Sequence, residues 1–111
     1  MTYDPTQRAL LAGLLALQTS TTPRSKAALA FAQAALPDLD NGLVDDANAS
    51  FTLLWGAARL NAGVGDPKRA VELARRARDI AARTWGPDSH AVSNVLRTEA
   101  EADAALRDFP M

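Results

Sequence analysis

The chain has 111 residues, enough for one domain with a continuous core and too few for two. Its formal charge of −1 lacks the basic excess that a general nucleic-acid or anionic-membrane binder needs, and the absence of cysteine excludes disulfides, thiolate metal sites and a cysteine nucleophile. Apolar residues make up 48%, about half of them Ala, and aromatics only 5%, so the composition predicts an all-α fold of closely approaching helices.

Asp4-Pro5 opens the first predicted helix, with Asp as N-cap and Pro at the first helical position, where its missing N–H costs nothing. It runs to Leu17 or Gln18 and stops in the polar stretch Thr19 to Thr22. Leu10, Leu11, Leu14, Leu15 and Leu17 make it apolar over most of its circumference. The run Ala9 to Leu17 is about half a membrane span. The leader MTYDPTQR sets Asp4 against Arg8, and no small-x-small site follows, so neither a spanning helix nor a signal peptide is expected. A cytoplasmic location follows as the expectation. Arg outnumbers Lys ten to two, the codon bias of a GC-rich bacterial genome.

Thr22-Pro23 opens a second helix, predicted to end near Leu36 before Pro37, and the loop PDLDNG follows. The third runs from about Val44 to Ala62 and ends at Gly63, placed for the left-handed C-terminal conformation. Asp66-Pro67 opens the fourth, which continues to about Thr84 and stops at Gly86. Pro87-Asp88 leads into the fifth, which reaches about Arg107 before Pro110. Connections this short predict antiparallel helix hairpins.

The chain repeats itself at a shift of 42 residues. Residues 28–35 (ALAFAQAA) fall on residues 70–77 (AVELARRA), so Ala28 meets Ala70, Phe31 meets Leu73, Ala32 meets Ala74 and Ala35 meets Ala77. The same shift takes Ala16 to Ala58, Ala58 to Ala100 and Leu54 to Leu96. A fixed period of this kind predicts a helical-repeat solenoid in which each unit buries its apolar face on its neighbours. Such arrays offer broad surfaces to partners and seldom carry chemistry.

The fourth helix puts Ala70, Leu73, Ala74, Ala77, Ile80 and Ala81 on one stripe, with Glu72–Arg76, Arg75–Asp79 and Asp79–Arg83 spaced for i,i+4 pairing on the other. It is strongly basic, whereas the fifth carries Glu99, Glu101, Asp103 and Asp108 against Arg97 and Arg107. Opposite signs on neighbouring helices predict attraction within the fold. His90, the single histidine, adjoins Ser89 and Asp88, but three consecutive residues cannot set a base between a nucleophile and its orienting acid. Asp38, Asp40, Asp45 and Asp46 surround Gly42, yet a calcium loop counted from Asp38 would have Gly42 at its fifth position and Ala49 at its twelfth, so these aspartates are expected to cap the third helix. There is no phosphate loop, HExxH or nucleotide fingerprint. No enzyme activity, metal or cofactor is expected.

The stretch GDPKRAVELARRARDIAARTWGPDSHAVSNVL resembles tetratricopeptide repeats, specifically the 42-residue kind of kinesin light chains. The resemblance rests on Gly65-Asp66 before the second helix of a repeat, on Ala70 and Ala77, and on the turn Gly86-Pro87-Asp88. Ala58 stands where that family places a small residue for close helix crossing. The chain departs from the pattern at Ser89-His90, where His-Pro is usual, and at Asn61, where a large aromatic is usual. Residues 43–100 fit well, and residues 1–42 fit by period and Ala placement.

The resemblance implies repeats over about residues 1–42 and 43–84 and a closing helix over 85–109, in one domain spanning 1–111. It also implies a concave groove lined by Leu10, Gly13 and Leu17, then Thr52, Trp55 and Arg59, then Asn94, Arg97 and Glu101. Thr52, Trp55, Arg59, Asn94, Arg97 and Glu101 are the candidate contacts for a peptide or protein partner, since Trp offers a large rigid face and Arg clamps a carboxylate in bidentate fashion. The alternative is Trp55 in the core or a dimer contact and the arginines solvated. Leu10, Leu14 and Leu17 are the candidate self-association residues, because no repeat precedes the first helix to cover them, and a homodimer is the expected state. The two functions that follow are partner binding through the groove and structural self-association through the first helix.

Overall fold

The computed structural model describes residues 4–19 and 25–107, which form five helices: α1 (Pro5–Thr19), α2 (Ser25–Asp40), α3 (Ala47–Gly63), α4 (Pro67–Trp85) and α5 (His90–Arg107). The described residues contain no strand, and none of their helices is long and apolar enough to cross a membrane. The predicted cap at Thr22-Pro23 lies outside them.

The starts of α1, α3, α4 and α5 have a chemical cause. At α1, the Asp4 carboxylate accepts the Gln7 N–H at 2.8 Å while the Asp4 N–H donates to Gln7 Oε1 at 3.2 Å, a reciprocal capping box. Asp46 caps α3 by accepting from the N–H groups of Asn48 and Ala49, and Asp66 caps α4 by accepting from Arg69. Ser89 does the same for α5, its Oγ accepting the Val92 N–H at 3.3 Å. His90 is therefore the first residue of α5, and it is exposed.

Two helix ends differ from the sequence expectation. α2 does not stop at Leu36 but carries Pro37 inside its last turn and continues to Asp40. Proline forfeits one backbone bond there, and the end is made instead by Gly42 at φ 73°, with the Leu43 N–H donating to Asp38 O at 2.9 Å and the Gly42 N–H to Leu39 O at 3.1 Å. α3 uses the same device at Gly65 (φ 88°), not at Gly63, with the Asp66 N–H donating to Asn61 O at 2.8 Å.

α3 is the central helix and touches the other four. Its Leu53, Leu54, Ala57 and Ala58 are almost wholly buried, with Ala9 and Ala12 of α1 and Leu73, Ala74 and Ala77 of α4 in the same core cluster. The closest approach is between α1 and α3. A Cβ on Gly13 would lie 2.5 Å from the carbonyl carbon and oxygen of Thr52, and one on Gly56 would lie 2.6 Å from Gly13 O. Backbone meets backbone there, and only glycine fits.

The arginines of α4 do not pair along their own helix as the i,i+4 spacing predicted. Arg76 reaches Asp40 of α2 at 2.6 Å, and Arg75 (3.3 Å) and Arg78 (2.8 Å) both reach Glu99 of α5. Arg69 pairs with Glu72 at i,i+3, and Arg83 donates to the Asp79 carbonyl. The opposite charges of α4 and α5 thus meet at one carboxylate, whose side chain is only 10% exposed.

Candidate functional site

Between α3 and α5 lies a cavity of about 250 Å³ lined by Trp55 and Arg59 from α3 and Asn94, Arg97, Thr98 and Glu101 from α5. The helix periodicity explains the convergence. Residues 55 and 59 are one turn apart on α3, and 94, 97, 98 and 101 form one face of α5.

Why a cavity opens here, and not between α1 and α3, can be read from the 42-residue register. The glycines at that tight crossing, Gly13 and Gly56, become Trp55 and Thr98 under the shift. An indole and a hydroxyl occupy the space that two hydrogens occupy in the first crossing. The indole Nε1–H donates to Thr98 Oγ1 at 3.1 Å, so the pair spans the gap with its polar atoms satisfied. Phe51 supports the indole from below, with ring centroids 5.6 Å apart, and Phe51 in turn meets Trp85 edge to face at 5.4 Å.

Trp55 lies at the boundary between the core and the cavity. It is half-buried and packs against the core, and its remaining surface lines the cavity. Arg59 is half-buried, and Asn94, Arg97 and Glu101 are exposed. Among the described residues, Arg59, Arg97 and Glu101 form no ion pair. Two guanidinium groups and one carboxylate thus line the cavity without an ion-pair partner among the described residues, in contrast to the paired arginines of α4.

Thr52 is not among the lining residues. It is buried at the α1–α3 crossing, where its carbonyl abuts Gly13, and Gly13 belongs to that crossing and not to a groove. Of the α1 leucines singled out, Leu14 is 45% exposed, whereas Leu10 and Leu17 are half-buried, Leu10 against the main core. Leu11 (40%) and Leu15 complete the exposed side of α1. Thr98 was not singled out in the sequence, and Glu99 was named there only as one of the acidic residues of the fifth helix. For Glu99 the signal was present in the opposed charges of α4 and α5.

The four aspartates around Gly42 separate into four tasks. Asp46 caps α3, Asp45 accepts from the Thr6 hydroxyl at 3.1 Å, Asp38 pairs with Arg8 at 2.9 Å and Asp40 pairs with Arg76. They do not face a common point. A wider depression of about 380 Å³ beside Asp45, Asp46 and Ile80 has its acidic groups already engaged in this way. In the α3–α5 cavity, polar side chains without an ion pair among the described residues coincide with an aromatic face. Comparison with family models, with curated proteins and with solved structures finds no match to this chain.

Proposed function

We propose that the chain is a tetratricopeptide-like module, two helix-pair repeats and a closing helix, that binds a peptide segment or protein surface in the α3–α5 cleft. The observation that carries this reading is the set of Arg59, Arg97 and Glu101, without an ion pair among the described residues, around the Trp55 face. A cavity of about 250 Å³ falls below the roughly 300–1,000 Å³ of sites for drug-sized ligands, so it suits one or two side chains of a longer partner. Guanidinium groups take carboxylates in bidentate geometry, and Trp and Arg are the residue types that most often anchor such contacts. The helices are preformed, so the module itself loses little conformational freedom on binding. A cytoplasmic setting is part of the same proposal.

The test is capture from the native lysate by wild type and by Arg59→Glu/Arg97→Glu. Trp55 is left intact because it supports the core as well as the cleft. A protein retained by wild type and lost by a folded double variant is the expected result. Equal recovery by both would remove the cleft from the function. A second reading, self-association through α1, is favoured by the exposure of Leu11 and Leu14.

A further inference from the structure

Three register series run along the chain at the 42-residue shift and bear on self-association through α1. Leu11, Leu53 and Val95 are one series, and all three are apolar. Leu53 and Val95 are fully buried, each on a helix that contacts the helix two before it, while Leu11 is 40% exposed, with no described helix covering it. Leu14, Gly56 and Thr98 are the second series. Gly56 meets α1 and Thr98 meets Trp55 of α3, but Leu14 is 45% exposed.

The third series, Ala16, Ala58 and Ala100, runs the other way. Ala16 lies against Gly56 of the following crossing, Ala16 and Ala58 are both fully buried, and Ala100 on α5 is exposed. α1 therefore offers the receiving half of a helix crossing and α5 offers the giving half. Each half occupies the register position that meets the other elsewhere in the chain, with larger side chains: Leu14 stands where Gly56 and Thr98 stand, and Arg97 where Gly13 and Trp55 stand.

We propose that copies of this chain associate head to tail, with α5 of one copy, around Arg97 and Ala100, seated on Leu11 and Leu14 of α1 in the next. This rests on the repeat reading of the fold and deepens the self-association reading; because Arg97 also lines the cleft, the test substitutes Leu14 and Ala100 and leaves Arg97 in place. The interface is heterologous, so each copy keeps one free end of each kind and assembly continues past the dimer unless a ring closes.

Sedimentation velocity on wild type, Leu14→Arg, Ala100→Arg and an equal mixture of the two variants tests it. Both positions are exposed, and circular dichroism checks that each variant is folded. The expected results are wild-type species larger than a dimer at rising concentration, monomers for each variant alone, and a dimer and nothing larger for the mixture. The mixture regains one intact junction, α5 of Leu14→Arg on α1 of Ala100→Arg. If Leu14→Arg is monomeric while Ala100→Arg still dimerises, α1 pairs with α1, and head-to-tail assembly fails although self-association stands. A monomeric wild type overturns both. A mixture that stays monomeric, or two variants that assemble like wild type, also overturns the head-to-tail junction.

Discussion

Gly13→Ala is the perturbation whose outcome the packing determines most sharply. Its Cβ would lie 2.5 Å from the Thr52 carbonyl carbon and oxygen and 2.6 Å from the Leu53 nitrogen. Non-bonded atoms prefer roughly 3.5–4.0 Å, so α1 must retreat by about 1 Å. The obstacle is backbone, and no rotamer change relieves it. The retreat would loosen Ala9, Ala12 and Ala16, all fully buried along the same face. Overpacking costs about 1–3 kcal/mol, and Ala recovers about 1 kcal/mol of helix propensity over Gly. With the steric term at its upper end, the net loss is about 2 kcal/mol, or a fall in Tm of about 10 °C for a domain of this size. A thermal melt followed by circular dichroism at low protein concentration, where association contributes little, reads it directly. A Tm equal to or above that of wild type would refute the backbone contact, because a helical Gly→Ala change in open space is stabilising.

Asp46→Ala removes the carboxylate that takes the Asn48 and Ala49 N–H groups, and urea unfolding should show a loss of about 1 kcal/mol with unchanged m-value. Thr98→Val keeps the shape but leaves the Trp55 indole without its acceptor. The same unfolding assay should show a loss of about 1 kcal/mol, and in a Trp85→Phe background the Trp55 emission should shift. Glu99→Gln removes the carboxylate shared by Arg75 and Arg78. Those arginine side chains are 59% and 36% exposed, so the stability gap to wild type should be about 1 kcal/mol at low salt and should narrow as salt rises.

Local chemistry was the most legible part of the sequence. Asp4-Pro5 and Asp66-Pro67 mark helix starts because an acidic cap and a proline at the first position act within one turn. Helix ends were harder. Gly63 and Gly65 compete for one turn, and Gly65 takes the left-handed position because the Asp66 N–H then reaches Asn61 O. Pro37 misled because a proline in a last turn forfeits a single bond, which the continued packing of α2 outweighs.

The i,i+4 pairs on α4 failed for a tertiary reason. Asp40 and Glu99 come within reach of its arginines only once α2 and α5 are in place. In the cleft, Trp55, Arg59, Asn94, Arg97 and Glu101, which the family resemblance set along one groove, line one cavity. Thr52 was misplaced because the period cannot show that Gly13 draws α1 onto it. The cavity itself depends on Gly13 and Gly56 giving way to Trp55 and Thr98 one period later, a change in size that a pattern of apolar positions does not record.

The central claim is that the α3–α5 cleft is the partner surface. Its most direct test is photo-crosslinking in the native host, with a photoreactive residue at Asn94 inside the cleft or at Glu72 on the exposed side of α4. A discrete adduct with another protein from position 94, absent from position 72 and lost when Arg59→Glu/Arg97→Glu is added, is the predicted result. The same adducts from both positions, or an adduct at 94 indifferent to the two arginines, would contradict the account.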